Sequence, residues 1–182
     1  MGASISNSES GQRRRALFFD RDGVLNEDLG FVHKPEEFRW VPGAKEAISW
    51  LNQSNYLVFV VTNQSGIARG YYGPAEVEAL HHWMQGELAA IGAHIDQFAY
   101  CPHHPEAAIP AYRQACACRK PRPGMILDLL GTWPVDAARS LLIGDQRRDM
   151  EAAQAAGIRA VCFSGGNLHA FVRDALLKSE QM

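Results

Sequence analysis

From residue 16 onward the sequence alternates short apolar runs with amphipathic stretches, and this alternation restricts the fold more than any other feature. Residues 16–19 form a short apolar run that ends in Asp20. Residues 44–52 have helical spacing, with Ala47, Ile48 and Leu51 on one face and Pro42-Gly43 at the opening. Residues 56–61 are almost continuously apolar, as expected of a strand buried on both faces. Pro74 suits a helix start, and Val77, Leu80, Met84 and Leu88 continue a stripe. Residues 95–100, 141–143 and 159–163 read as further strands, and 123–130, 148–156 and 168–177 as further helices. Cys162, inside the last strand, is expected in the core.

Such alternation implies an α/β fold, a Rossmann-like three-layer sandwich around a mainly parallel sheet. Ligands of such sheets bind at the carboxyl ends of the strands. Three predicted strands end in polar residues: Asp20, Thr62-Asn63 and Asp145. The chain of 182 residues suits one domain over 15–182, preceded by a polar mobile leader over 1–14. With 47% hydrophobic and 21% charged residues and a net charge of −2, nothing suggests a nucleic-acid partner. No apolar run approaches the ~18 residues a membrane span needs. No long apolar stretch follows the arginines at 13–15, which argues against a signal peptide. A cytoplasmic monomer acting on a small molecule is the simplest expectation.

Four short segments carry chemistry. In Phe18-Phe19-Asp20-Arg21-Asp22-Gly23, two carboxylates follow a strand. Phosphoryl transfer to a carboxylate needs a nucleophile, here Asp20, and an acid for the leaving oxygen, here Asp22. In Thr62-Asn63-Gln64-Ser65-Gly66, a hydroxyl and backbone N–H groups at a strand end can hold phosphoryl oxygens. In Arg119-Lys120-Pro121-Arg122, Lys120 can neutralise phosphoryl charge. In Ile143-Gly144-Asp145-Gln146-Arg147-Arg148-Asp149, Asp145 can bind Mg²⁺ directly. Asp20, Asp145 and a backbone carbonyl would suffice for Mg²⁺, Asp22 is counted with them, and Asp149 could support these ligands from behind. Taken singly, these segments also read as a surface turn, a polar strand exit, a basic loop and a helix cap.

In combination and order they resemble the haloacid dehalogenase (HAD) superfamily. Its Asp-x-Asp, Thr or Ser, Lys and Gly-Asp-x3-Asp motifs correspond to Asp20/Asp22, Thr62, Lys120 and Asp145/Asp149.

Between the second and third motifs lie Cys101-Pro102-His103-His104 and Cys116-Ala117-Cys118. Cys101, His103, Cys116 and Cys118 match the four-ligand chemistry of structural zinc, with His104 an alternative to His103. A bridge between Cys116 and Cys118 would be badly strained. Four protein ligands leave no place for water, so the expected role of Zn²⁺ is to stiffen loop 101–118 and fix Arg119 and Lys120.

With this loop the chain resembles the zinc-containing, capless phosphatases of the superfamily. The strings 62–70, 101–105, 118–125 and 28–33 are more similar to their heptose-bisphosphate branch than to their histidinol-phosphatase branch. That resemblance implies Mg²⁺-dependent hydrolysis of a heptose bisphosphate, a precursor of the lipopolysaccharide core, through an aspartyl-phosphate. It also implies substrate contacts from Asp28, Leu29, Gly30, Phe31, Thr62, Asn63, Gln64, Ser65, Arg119 and Lys120. Two departures stand out: Gln146 where the family often has lysine, and Val24 where it often has threonine. Arg147 or Arg148 could replace the missing cation. A binding module without activity is the alternative from another class; intact Asp20, Asp22, Lys120 and Asp145 count against it.

Overall fold

The computed structural model describes residues 12–180. Five strands form one sheet: β1 (Ala16–Phe19), β2 (Leu57–Asn63), β3 (Gln97–Cys101), β4 (Leu141–Gly144) and β5 (Arg159–Cys162). Their order is β3-β2-β1-β4-β5 and every pairing is parallel. Among the described residues six α-helices connect and flank them: α1 (Ala44–Gln53), α2 (Gly66–Arg69), α3 (Pro74–Ala89), α4 (Gly124–Thr132), α5 (Arg147–Ala155) and α6 (Leu168–Glu180). Among the described residues no helix is long and apolar enough to cross a membrane.

The period-2 alternation of strand side chains divides the core into two layers. Leu17, Phe19, Val58, Val60, Leu141 and Ile143 pack with buried residues of α1, α3 and α6. Ala16, Phe18, Leu57, Phe59, Val61 and Leu142 face the opposite side, against α4 and α5. The central strands are therefore apolar on both faces, which is why they read as unbroken runs. The α1 positions Ala47, Ile48 and Leu51 and the α3 positions Val77, Leu80, Met84 and Leu88 are all buried.

Several expected boundaries move. Strand β2 continues through Asn63, so Thr62 and Asn63 belong to the ladder with β3 rather than to a turn after it. Helix α4 runs on to Thr132, and α5 begins at Arg147. Cys162 is exposed, contrary to the core position expected of it. Strand β5 is an edge strand, and even its central residues are only half-buried. Residues 1–11 of the expected leader lie outside the described residues. Arg14, near its end, is anchored: its backbone pairs with Pro134 and Asp136, and its guanidinium donates to the Asn55 and Tyr56 carbonyls.

Topology brings the chemistry together. From the central strand β1 the chain crosses first to β2 on one side and later to β4 on the other, so the carboxyl ends of β1, β2 and β4 border one crevice.

Candidate active site

Asp20 directly follows β1 and is buried. Its Oδ1 accepts from the Arg21 N–H at 2.7 Å, and its Oδ2 lies 3.0 Å from Lys120 Nζ. Lys120 Nζ is also 2.7 Å from Asp149 Oδ1 and donates to the Val61 carbonyl at 2.8 Å. Lys120 thus reaches the acidic cluster from a fully buried position. Its backbone is clamped by Asn63, whose amide donates to the Lys120 carbonyl and accepts from its N–H, both at 3.0 Å. Burial pushes the Asp20 carboxyl up to about 6; Lys120 opposes that rise, while Asp149 and Asp22 add to it.

One oxygen each from Asp20, Asp145 and Asp149 lies within 4.8 Å of the others, a group able to hold a cation. Asp145 takes one hydrogen bond on Oδ2, from the Gln146 side-chain amide at 2.8 Å; its Oδ1 is buried with no partner. Gly23 makes room for it, with φ +85° and a Cβ position that would lie 2.4 Å from Asp145 Oδ2. Asp149 is more committed, since Oδ1 meets Lys120 and Oδ2 accepts from the Gln146 N–H at 3.0 Å. An orphaned buried oxygen beside a second carboxylate fits a hard divalent cation held chiefly by Asp20 and Asp145.

Asp22, counted with the Mg²⁺ ligands in the sequence, lies outside this carboxylate group. Its side chain is held by donors instead. Arg21 Nη2 reaches both carboxylate oxygens at 3.0 Å, Asn26 Nδ2 reaches Oδ1 at 3.0 Å, and Gln64 Nε2 reaches Oδ2 at 2.9 Å. Gln64, expected as a substrate contact, is placed with its side chain inward. It is 1% exposed, and its amide is spent on Asp22, on Thr62 Oγ1 at 2.9 Å and on the Tyr72 hydroxyl at 2.8 Å. Asn63 likewise spends its amide on Lys120. Strand alternation explains the division: Thr62 and Gln64 share one side, and Asn63 points to the other.

The rim is aromatic on one side and cationic on another. Leu29, Phe31 and Tyr71 are exposed, and the Phe31 and Tyr71 rings meet edge to face at 4.8 Å. Phe31 has φ +53°, the left-handed region that a bulky residue rarely occupies. Asp28 Oδ1 accepts from the Gly30 N–H at 3.0 Å and shapes this turn. Ser65 is half-buried at the approach to α2, and Arg69 stacks over Phe31 at 5.9 Å. Arg119 is half-buried and donates to the His103 carbonyl at 3.1 Å. Burial lowers its pKa, and the nearby cations Arg148 and Arg69 lower it further against the opposite pull of the cysteines. Arg147 turns away to Glu151 at 2.6 Å. Of the two arginines weighed as a substitute for the missing lysine, Arg148 is the one whose charge Arg119 feels.

Beneath this rim, Cys101, His103, Cys116 and Cys118 offer four ligand atoms within 4.8 Å of one another. The sulfur separations are 2.9 Å for Cys101–Cys118, 3.2 Å for Cys116–Cys118 and 3.4 Å for Cys101–Cys116, with no disulfide. His103 Nδ1 lies 3.4 Å from Cys118 Sγ and 3.7 Å from Cys101 Sγ. A zinc tetrahedron with Zn–S near 2.3 Å has edges of roughly 3.8 Å, so a small expansion would accommodate the ion. His104 is outside the cluster; its Nδ1 accepts from the Glu106 N–H at 3.1 Å. The geometry therefore selects His103 over His104. Burial pushes the Cys101 thiol upward, which metal binding would offset.

A HAD-hydrolase-like family model matches residues 117–178. A D-glycero-β-D-manno-heptose-1,7-bisphosphate 7-phosphatase from Rhodopseudomonas palustris is 51% identical over 172 residues, covering 94% of this chain and 96% of that protein. The chain belongs to this family of HAD-like phosphatases. The 7-phosphatase of Escherichia coli K12 is 43% identical over 143 residues, 79% of this chain and 75% of that protein. The D,D-heptose 1,7-bisphosphate phosphatase of B. bronchiseptica, solved with magnesium and phosphate, superposes with a TM-score of 0.76 at 35% identity, covering 92% of this chain and 97% of that one. A HAD-like phosphatase from Mesorhizobium loti gives 0.80 at 31% identity, covering 93% and 88%.

Within this HAD phosphatase fold, three residues around Asp22 and Gln64 went unassigned in the sequence. Arg21 and Asn26 hold Asp22, and Tyr72 holds Gln64. Arg21 carried a usable signal, since an arginine between two site aspartates has opposite charges within reach. Tyr72 is ten residues from Thr62 and carried none.

Proposed function

We propose that this chain removes the 7-phosphate of D-glycero-β-D-manno-heptose 1,7-bisphosphate through a phosphoryl group carried on Asp20. The observation that supports this most strongly is the cluster in which Asp20 and Asp145, at the carboxyl ends of the adjacent strands β1 and β4, meet Lys120 from its loop and Asp149 from α5. It couples a buried carboxylate to a buried ammonium and leaves an oxygen of Asp145 open for a cation.

An Asp20 oxygen attacks phosphorus in line, and the bond to the sugar oxygen breaks with its electron pair leaving on that oxygen. Asp22 supplies the proton that makes the leaving group a hydroxyl. Asp22 then takes a proton from the water that attacks the acyl phosphate, and inorganic phosphate departs with Asp20 restored. Lys120 and the Thr62 hydroxyl hold phosphoryl oxygens and balance their charge. Mg²⁺, held by Asp20 and Asp145, would supply further charge neutralisation on the phosphoryl oxygens. Zn²⁺ in the cysteine–histidine cluster would serve structure alone, fixing Arg119 and Lys120 at the end of its loop. Arg119 would read the phosphate at the far end of the sugar, since a guanidinium can pair bidentately with phosphate.

Phosphorus NMR on the purified enzyme with Mg²⁺ tests the reading. The 7-phosphate resonance should vanish while the 1-phosphate persists. Faster turnover of histidinol phosphate, or loss of the 1-phosphate first, would overturn it.

A further inference from the structure

The phenol of Tyr72 donates to Gln64 Oε1 at 2.8 Å, and the other end of that amide serves two residues of the site. Gln64 Nε2 is 2.9 Å from Asp22 Oδ2 and 2.9 Å from Thr62 Oγ1. The NH₂ end of this amide faces Asp22 and Thr62, and its carbonyl end, which can only accept, requires a donor on the opposite side. Tyr72 is that donor: burial pushes its phenol up to about 12, so it keeps its proton throughout the working range.

Tyr72 is itself held firmly. His33 stacks on its ring, with centroids 4.6 Å apart and planes 14° from parallel. The ring also lies against the Gly66 backbone, where an added Cβ would sit 2.3 Å from it. His33 Nδ1 donates to the Phe31 carbonyl at 2.9 Å, which ties the same assembly to the substrate-side loop.

We propose that Tyr72, acting through Gln64, is a positioning residue that fixes both Asp22 and the Thr62 hydroxyl. Without the phenol, the Gln64 carbonyl has no donor and the amide is free to turn over. A turned amide takes its N–H donor away from Asp22 and presents its oxygen to Thr62, whose hydroxyl would then donate to Gln64. In the native arrangement Thr62 accepts from Gln64, so its own proton remains available to a phosphoryl oxygen. The inference rests on the reading of Asp22 as the acid for the leaving oxygen.

The test is a leaving-group series, from 4-nitrophenyl phosphate through phenyl phosphate to the heptose bisphosphate. It is run on the Mg²⁺- and Zn²⁺-loaded wild type, Asp22→Asn, Tyr72→Phe and Gln64→Glu. An acid matters most when the departing oxygen is most basic. Asp22→Asn should therefore lose little on 4-nitrophenyl phosphate and most on the sugar. Tyr72→Phe should show the same trend with smaller size, roughly threefold on 4-nitrophenyl phosphate and roughly ten- to thirtyfold on the sugar, in kcat rather than KM. Gln64→Glu, which sets a carboxylate against Asp22, should exceed it. A partly unfolded variant loses the same factor on every substrate, so the trend is independent of folding yield. If Asp22→Asn shows the trend and Tyr72→Phe loses equally across the series, the positioning role is wrong. If Asp22→Asn itself loses equally across the series, the acid assignment fails and the inference fails with it.

Discussion

Replacing Lys120 with methionine removes the ammonium from among three carboxylates while keeping the volume of the side chain. In the native protein Lys120 Nζ lies 3.0 Å from Asp20 and 2.7 Å from Asp149, and all three residues are buried. Breaking a buried ion pair by removing one partner costs about 3–5 kcal/mol, because the remaining charge is left uncompensated. For a chain of 182 residues, roughly 2–4 °C per kcal/mol gives a fall of about 6–20 °C in Tm. Protonation limits the loss. The Asp20 carboxyl is already raised to about 6 in the presence of Lys120, and it rises further without it. A carboxyl whose folded pKa exceeds its unfolded value binds more protons when folded, so its contribution to stability falls as pH rises through the folded pKa. The deficit of Lys120→Met should therefore be larger at pH 8 than at pH 6. Urea unfolding in Mg²⁺-free buffer, with Zn²⁺ retained, measures this, and millimolar Mg²⁺ should restore part of the loss. A loss below about 1 kcal/mol at pH 8, or one that grows as pH falls, would refute the role of Lys120 as the charge partner of this cluster.

Asp20→Asn should abolish turnover yet raise Mg²⁺-free stability at pH 8 by about 1–2 kcal/mol, since it removes a carboxylate whose burial is costly; urea unfolding and phosphate release on one preparation check both. Zinc analysis should find about one ion per chain, the capacity of one four-ligand site. Chelation that removes it should lower activity in a way Mg²⁺ alone cannot rescue, and zinc-free protein with full activity would contradict this. Arg119→Ala should lower kcat/KM for the bisphosphate by roughly thirty- to a thousandfold and for an aryl phosphate much less. Equal losses would assign Arg119 to the loop or the chemistry rather than to the far phosphate.

The sheet was legible because its central strands are buried on both faces, and residues with no solvent face leave unbroken apolar runs. Residues gathered at the strand ends were legible too, because Asp20, Lys120, Asp145 and the cysteines are reactive types at tight spacing. What stayed hidden was direction. Thr62, Asn63 and Gln64 are equally polar in the sequence, and only the course of the chain at the end of β2 sends Gln64 to Asp22 and Asn63 to the Lys120 backbone. His103 and His104 differ by one position, and only the folded loop selects between them. Cys162 misled because strand order decides which strand is at the edge, and order is a long-range property. Arg147 and Arg148 differ by about 100° around a helix whose start was one residue uncertain, enough to hide which one pairs with Glu151.

The claim on which the mechanism depends is that phosphate passes through Asp20. Borohydride reduces an acyl phosphate to an alcohol and leaves a free carboxylate intact. Enzyme quenched during turnover with Mg²⁺ and the heptose bisphosphate, then reduced and digested, should carry homoserine at position 20 in the peptide containing Asp20 and Asp22. Enzyme without substrate should carry none. Steady phosphate release with an unmodified residue 20, or with the reduced residue at position 22, would contradict the account.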